Sequence, residues 1–377
     1  MRLVVLTALG ALTLAIWLYL LLAHGRFWHT SARLPRGSDP DVWPSVVAII
    51  PARNEAEIVV STVPTVVGQR YPGRFRVLVV DDASDDGTGG LASAAGAVVV
   101  RGDGPPTGWV GKVAAMSCGV AVADSPDYFL FTDADIAYPP DALTALVRAA
   151  TAHDLVLTSQ MVRLRAQSRW ERWLVPAFVY FFAQLYPFGR VNGPGRTAAA
   201  AGGCMLVRRD ALHAAGGLVM IQDALIDDVS LARLLKGHGR IWLGLSPTID
   251  SARPYPRLAD LWQMIARSAY TQLRCNPLLL LGTVAGLSLT YLAAPLVTLL
   301  ALATALWPAA GLAGTAWVIM TATYVPMLRF YGLSPARALG LPVIATLYAA
   351  MTVDSARRHR TGRGGAWKGR VGAGRGA

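Results

Sequence analysis

DYFLFTDAD, residues 127–135, is apolar from Tyr128 to Phe131 and then closes on two carboxylates, Asp133 and Asp135, with one residue between them. A short unbroken apolar run bounded by polar turn residues reads as a strand buried on both faces. VVAII (46–50), RVLVVDD (76–82), AVVVR (97–101) and DLVLTSQ (154–160) have the same form, and helical stretches such as Ala56–Gln69 and Lys112–Ala123 lie between them. Strand, helix and strand in repetition predict an α/β domain with a mainly parallel sheet. Ligands of such sheets bind beyond the carboxyl ends of the strands. Polar residues gather at those ends: PARNE (51–55) after the first strand, Asp81-Asp82 after the next, and Asp133 and Asp135 after a later one.

Alternate residues of an extended segment project to one side, so Asp133 and Asp135 can share one hard cation of the kind that neutralises a diphosphate. The same pair can also serve as turn or cap residues. Asp81 or Asp82 can accept hydrogen bonds from a base N–H or from ribose hydroxyls, whereas Asp85, Asp86 and Gly87 read as turn and helix-cap residues. The glycine-rich loop GWVGK (108–112) fits neither common phosphate motif. A P-loop requires Gly where Pro106 stands and Ser or Thr where Val113 stands, and a dinucleotide fingerprint started at Gly102 meets Thr107. Cys118, Cys204 and Cys275 lack metal-ligand spacing and read as reduced core thiols.

Of the 377 residues, 54% are hydrophobic and 15% charged, against roughly a quarter charged in soluble domains. Part of the chain therefore belongs in lipid. Leu3–Ala23 is uncharged and long enough to cross a bilayer. Bulky His24, Arg26, Phe27 and Trp28 follow it where a signal peptidase needs small residues, so an uncleaved anchor is expected. Two further spans are expected at 278–303 and 309–328. A third stretch, 338–353, is short and contains Pro342, which leaves a span and an interfacial helix both open. The aromatic run ERWLVPAFVYFFAQLYPF (171–188) is interrupted by Pro176 and Pro187 and reads as a membrane-surface helix.

The net charge of +12 could indicate nucleic acid, but its placement indicates otherwise. Arg26, Arg33 and Arg36 follow the first span, and Arg357, Arg358, Arg360, Arg363, Lys368 and Arg370 crowd the C-terminal region. Basic residues beside spans face the cytoplasm and anionic lipid. The expected organisation is an N-terminal anchor (1–25), a cytoplasmic domain (44–275), a C-terminal transmembrane region (277–353) and a basic flexible tail (354–377), in a multi-pass inner-membrane protein.

PARNE, VVDDASDDGT (79–88), TDAD (132–135) and the later IDD (226–228), in this order, resemble the inverting family 2 glycosyltransferases. GWVGK, LTSQMVRLRAQSRWERWLVPAFVYFF (157–182), AAAAGGCMLVRRDAL (198–212) and RPYPRLADLWQMIARSAYTQLR (253–274) look like the hopene-associated group within them. The resemblance implies a Rossmann-like, GT-A type nucleotide-sugar-binding domain between N- and C-terminal transmembrane helices. It assigns Pro51, Arg53, Glu55 and Asp82 to the nucleotide-sugar, beside Asp81 as the strand-end candidate for the same ligand, and puts Lys112 near the donor phosphates. Asp133 and Asp135 would hold Mg²⁺ or Mn²⁺ with the diphosphate, and Asp228 of the Asp227-Asp228 pair would be the base. For Asp228 a helix-cap role is the competing expectation. Processive relatives carry Q-x-x-R-W after the base, but Gln263 to Arg267 is one residue too long and lacks the Trp, which implies a single transfer. The expected partners are a nucleotide-sugar, a UDP-sugar in the first instance, a lipid acceptor and the membrane. A polyprenyl-phosphate acceptor, or a non-catalytic scaffold of lipid biosynthesis, remain the rival expectations.

Overall fold

The computed structural model describes residues 2–362, 364, 366, 367, 370 and 371. Arg363, Lys368 and the tail after Val371 lie outside the described residues. The chain divides into two compact units, one built from residues 31–165 and 190–254, the other from 1–30, 166–189 and 255–364. The middle region read as 44–275 is thus distributed over both.

In the first unit, β1 (Val46–Ala52), β2 (Phe75–Asp82), β3 (Val98–Gly102), β4 (Tyr128–Phe131), β5 (Ile136–Ala137), β6 (Leu155–Arg163), β7 (Met205–Arg208) and β8 (Arg240–Ser251) form one sheet in the order β3-β2-β1-β4-β7-β6-β8-β5. β3, β2, β1 and β4 run parallel. β7 is antiparallel to both β4 and β6, and β5 is antiparallel to β8. The sheet is therefore mixed beyond β4. Every residue of β1 and β4 is buried, as uninterrupted apolar strands require.

The Gly111–Val122 helix lies so close to β1 and β2 that a Cβ at Gly119 would stand 2.5 Å from Ile49 Cγ2 and 3.2 Å from Val80 Cγ2. Gly119→Ala is expected to destabilise the unit by about 1–3 kcal/mol through overpacking, read as a lower Tm of the detergent-solubilised chain.

The run quoted first departs from expectation at its end. β4 stops at Phe131, and residues 132–135 turn, with the Thr132 hydroxyl donating to the Gly203 carbonyl at 2.8 Å and Ile136 N to the Asp133 carbonyl at 3.3 Å. Asp133 and Asp135 therefore stand on a turn and not on an extended strand.

The second unit is helical. Leu3–Leu22, Pro277–Ala303, Trp307–Phe330 and Pro335–Arg360 are each long and apolar enough to cross a membrane. For 338–353, open between a span and an interfacial helix, the helix is long enough for a span. Pro342 occupies the first turn of a helix running Leu341–Arg360, where its missing N–H leaves no hydrogen bond unmade. The basic stretch from 354 accordingly begins inside that helix. Pro176 likewise fails to break the aromatic run: one helix covers Arg169–Leu185, started by a capping box between Ser168 and Glu171, and Pro187 lies beyond its end.

Candidate active site

The carboxyl ends of β2, β1 and β4 lie side by side, with Ala52 in register with Asp81. Pro51 is buried within β1, and the chain leaves it through Arg53, Asn54 and Glu55. Arg53 donates to the Ala83 carbonyl at 3.0 Å and to that of Asp82. Asn54 receives a hydrogen bond from Asp85 N at 3.1 Å, while its own N–H donates to Ser84 Oγ at 3.0 Å. Asp86 accepts from Ala56 N and from Thr88 N, each at 3.0 Å, so it serves the starts of two helices at once. Asp86 is thus a helix-cap residue, as read, while Asp85 is held in the turn through its backbone N–H. Asp81 accepts Ser84 N at 3.0 Å, and it lies so close to the next helix that a Cβ at Gly89 would be 2.6 Å from its Oδ2. Asp82 is buried beside it at the end of β2.

A second cluster joins β1 to the turn after β4. Arg253 donates to Glu55 Oε1 at 2.6 Å, and its Nε lies 3.6 Å from Asp135 Oδ2. The Ser251 hydroxyl donates to that Asp135 oxygen at 2.6 Å. Burial holds the Asp135 carboxyl above its usual range, Arg253 opposes this, and the neighbouring Asp133 adds to it.

The third cluster surrounds Lys112 at the first turn of the Gly111–Val122 helix. Its Nζ lies 2.8 Å from Asp133 Oδ1 and 3.1 Å from Asp227 Oδ2. The Asp227 oxygen is buried and off hydrogen-bond geometry, so that contact is ionic. Burial disfavours the Lys112 charge, but Asp133, Asp227 and Asp228 outweigh it and keep the ammonium protonated. Asp228 accepts Gly202 N at 3.0 Å and Val229 N at 2.7 Å. Burial, followed by the adjacent Asp227, pushes its carboxyl up to about 7 against the opposing pull of Lys112 and the two N–H groups. Ile226 is the N-cap of the Asp227–Lys236 helix, so Asp228 lies inside the first turn and the helix-cap expectation fails.

The structure thus brings Lys112, Asp133 and Asp228 together, groups Asp135 with Glu55, and sets Asp81, Asp82, Pro51 and Arg53 at the adjoining strand ends. Asp227, Arg253, Ser251 and Gly202 were missed. A Cβ at Gly202 would stand 3.0 Å from Lys112 Nζ and 3.5 Å from Asp228 Oδ2. Gly202→Ala is expected to displace these groups and to destabilise the unit by about 1–3 kcal/mol through overpacking, read as a lower Tm. Its sequence signal was weak: a glycine in a run of small residues.

Among the described residues no group of three or more His, Cys, Asp or Glu side chains forms a ready metal cage. The donor set nevertheless fits a hard cation, because Mg²⁺-like ions take one or two protein carboxylates and complete their shell with phosphate and water oxygens. Asp133, whose side chain is 37% exposed, is open to such exchange.

Residues 47–216 match the family described as Glycosyl transferase family 2. Over 193 residues the chain is 32% identical to an N-acetylglucosaminyltransferase of Mesorhizobium japonicum, a match covering 47% of this chain and 43% of that protein. The match thus spans less than half the length of this curated relative. A mannosyltransferase of Pyrobaculum calidifontis, solved with GDP-mannose and Mn²⁺, has the same fold: TM-score 0.57 at 20% identity, covering 94% of this chain and 99% of that one.

Proposed function

Because residues 47–216 form a glycosyltransferase family 2 domain on a GT-A-like α/β fold, we propose that the chain is an inverting glycosyltransferase that moves one sugar from a nucleotide-sugar, UDP-linked, to a membrane lipid acceptor. The observation that carries this reading is the half-buried Asp228 carboxyl, held by Gly202 N at 3.0 Å and Val229 N at 2.7 Å and raised to about 7 beside the Lys112–Asp133 pair. A base must be ionised in part at working pH and still basic enough to take a proton, and a carboxyl near 7 satisfies both.

In this reading Asp228 takes the proton of the acceptor hydroxyl as that oxygen bonds to the anomeric carbon. The bond from that carbon to the diphosphate oxygen breaks, and the diphosphate leaves with the electron pair on the opposite face. Lys112, kept cationic by its carboxylates, faces the charge that develops on the leaving group. Pro51, Arg53, Glu55, Asp81 and Asp82 line the nucleotide side. Asp133 and Asp135 would hold Mg²⁺ or Mn²⁺, which when bound supplies Lewis-acid neutralisation of the diphosphate. Arg253, bridging Glu55 and Asp135, positions both.

The four candidate spans, with the basic residues Arg26, Arg33 and Arg36 after the first of them, support a multi-pass inner-membrane enzyme with a cytoplasmic catalytic domain, and hence an acceptor delivered by the bilayer. The stretches similar to the hopene-associated group favour a hopanoid-related lipid. The test is a screen of UDP- and GDP-sugars on membranes containing the protein, with mass spectrometry of the extracted lipids. A metal-dependent glycosylated lipid is expected. Glycosylation of soluble acceptors alone would remove the lipid assignment, and absence of metal-dependent donor binding in calorimetry would favour a scaffold.

A further inference from the structure

The helical unit contains a charge with no counter-charge. Its carboxylates are Glu171, Asp260 and Asp354, and the sequence between Asp260 and Asp354 holds no acidic residue at all. Each of the three is already engaged: Glu171 by Ser168 N and Tyr255 N, Asp260 by Arg257, and Asp354 by Trp262 and Arg358. Arg337, in the 3₁₀ turn Pro335–Gly340, stacks on the Trp173 ring at 5.6 Å. Its Nη1 is buried and, among the described residues, has no acceptor.

Tyr324 points the same way. It is fully buried in the Trp307–Phe330 helix, with its ring packed 5.0 Å from that of Tyr180, and its hydroxyl also has no partner among the described residues. Arg337 is near enough for its charge to act on that hydroxyl. The neighbouring polar groups are occupied: the Tyr180 hydroxyl lies 2.9 Å from Thr323 Oγ1, and that of Tyr348 donates to the Leu174 carbonyl at 2.8 Å. Two buried donors without a hydrogen-bond partner among the described residues, one of them cationic, suit an acceptor-only anion. Burying such donors unpaired costs about 1–3 kcal/mol each.

The turn that carries Arg337 follows the end of the Trp307–Phe330 candidate span, with exposed Arg329 in its last turn, and lipid phosphates lie at the depth where spans end. We propose that Arg337 and Tyr324 form a site for the phosphate of an anionic membrane lipid, with Trp173 holding the guanidinium plane in place. Oxygen of the phosphodiester would accept from Arg337 Nη1 and from the Tyr324 hydroxyl.

The test reads lipid retention and not sugar transfer, so it stands or falls apart from the catalytic reading. Full-length protein is reconstituted in nanodiscs of phosphatidylcholine, with or without phosphatidylglycerol, and retained lipid is measured by native mass spectrometry. Wild type is expected to retain phosphatidylglycerol preferentially. Tyr324→Phe, which preserves shape, and Arg337→Gln should each reduce that preference about tenfold, the scale of one charge-assisted hydrogen bond, and Arg337→Lys should restore part of it. Unchanged preference in Tyr324→Phe and Arg337→Gln would overturn the site. So would inorganic phosphate raising the Tm of wild type in phosphatidylcholine discs as much as phosphatidylglycerol does, since that would assign the groups to a free anion.

Discussion

Asp228→Asn is expected to lower kcat by roughly 100- to 10,000-fold while leaving donor binding nearly intact. The amide keeps the volume and one hydrogen-bond acceptor for Gly202 N or Val229 N but cannot take the acceptor proton. The pH profile gives a second reading. With its carboxyl raised to about 7, Asp228 is protonated and idle below that value, so kcat/KM of wild type should rise with pH through about 7 and then level off. Stability should move the other way. Between the ordinary 3.8 and about 7 the folded chain holds a proton that the unfolded chain releases, so folding weakens as pH rises across that window. Asp228→Asn removes this penalty, and its Tm relative to wild type should be higher at pH above 7 than near pH 4. If the variant instead stays largely active, the acceptor is a phosphate that needs no base, as a polyprenyl phosphate would be.

Chelation of divalent ions, or Asp133→Asn, should abolish the metal-dependent part of donor affinity and with it turnover, a loss of at least about a hundredfold given the several kcal/mol that a Lewis acid supplies at a diphosphate. Calorimetry with a UDP-sugar, with and without Mn²⁺, measures it. Asp133 is suited to a clean experiment. Its partner Lys112 retains Asp227 at 3.1 Å, so the ammonium keeps a counter-charge and the fold should survive. Lys112→Ala would be less clean, since it strips the charge that compensates Asp133, Asp227 and Asp228 together and leaves their carboxylates to repel one another. Donor affinity that ignores Mn²⁺ in wild type would sink the metal assignment.

Much of the fold could be read along the chain. β1, β2 and β3 fall within two residues of the apolar runs that announced them, because a strand covered on both faces must be apolar throughout and must stop where polar residues begin. Prolines were misread where position matters more than presence. Pro342 sits in a first turn, where no N–H is needed, and Pro176 is carried within the Arg169–Leu185 helix, whose buried face includes Leu174, Val175 and Tyr180. Asp133 and Asp135 were assigned to the correct strand end but to the wrong local geometry, since the turn there is fixed by a hydrogen bond from Thr132 to Gly203, a contact no local pattern encodes.

The sequence alone determined the periodicities: which segments are strands, which are apolar enough for a bilayer, and which acidic residues end up at strand termini, all of these being consequences of local chemistry. The tertiary structure decided the partnerships. Arg253 meets Glu55 across 198 positions of chain, and Asp228 acquires its proton affinity from burial and from the adjacent Asp227, against the pull of Lys112, which a different part of the fold delivers. Solvation and Coulomb energy depend on distance in space, and that distance exists only once the chain has folded.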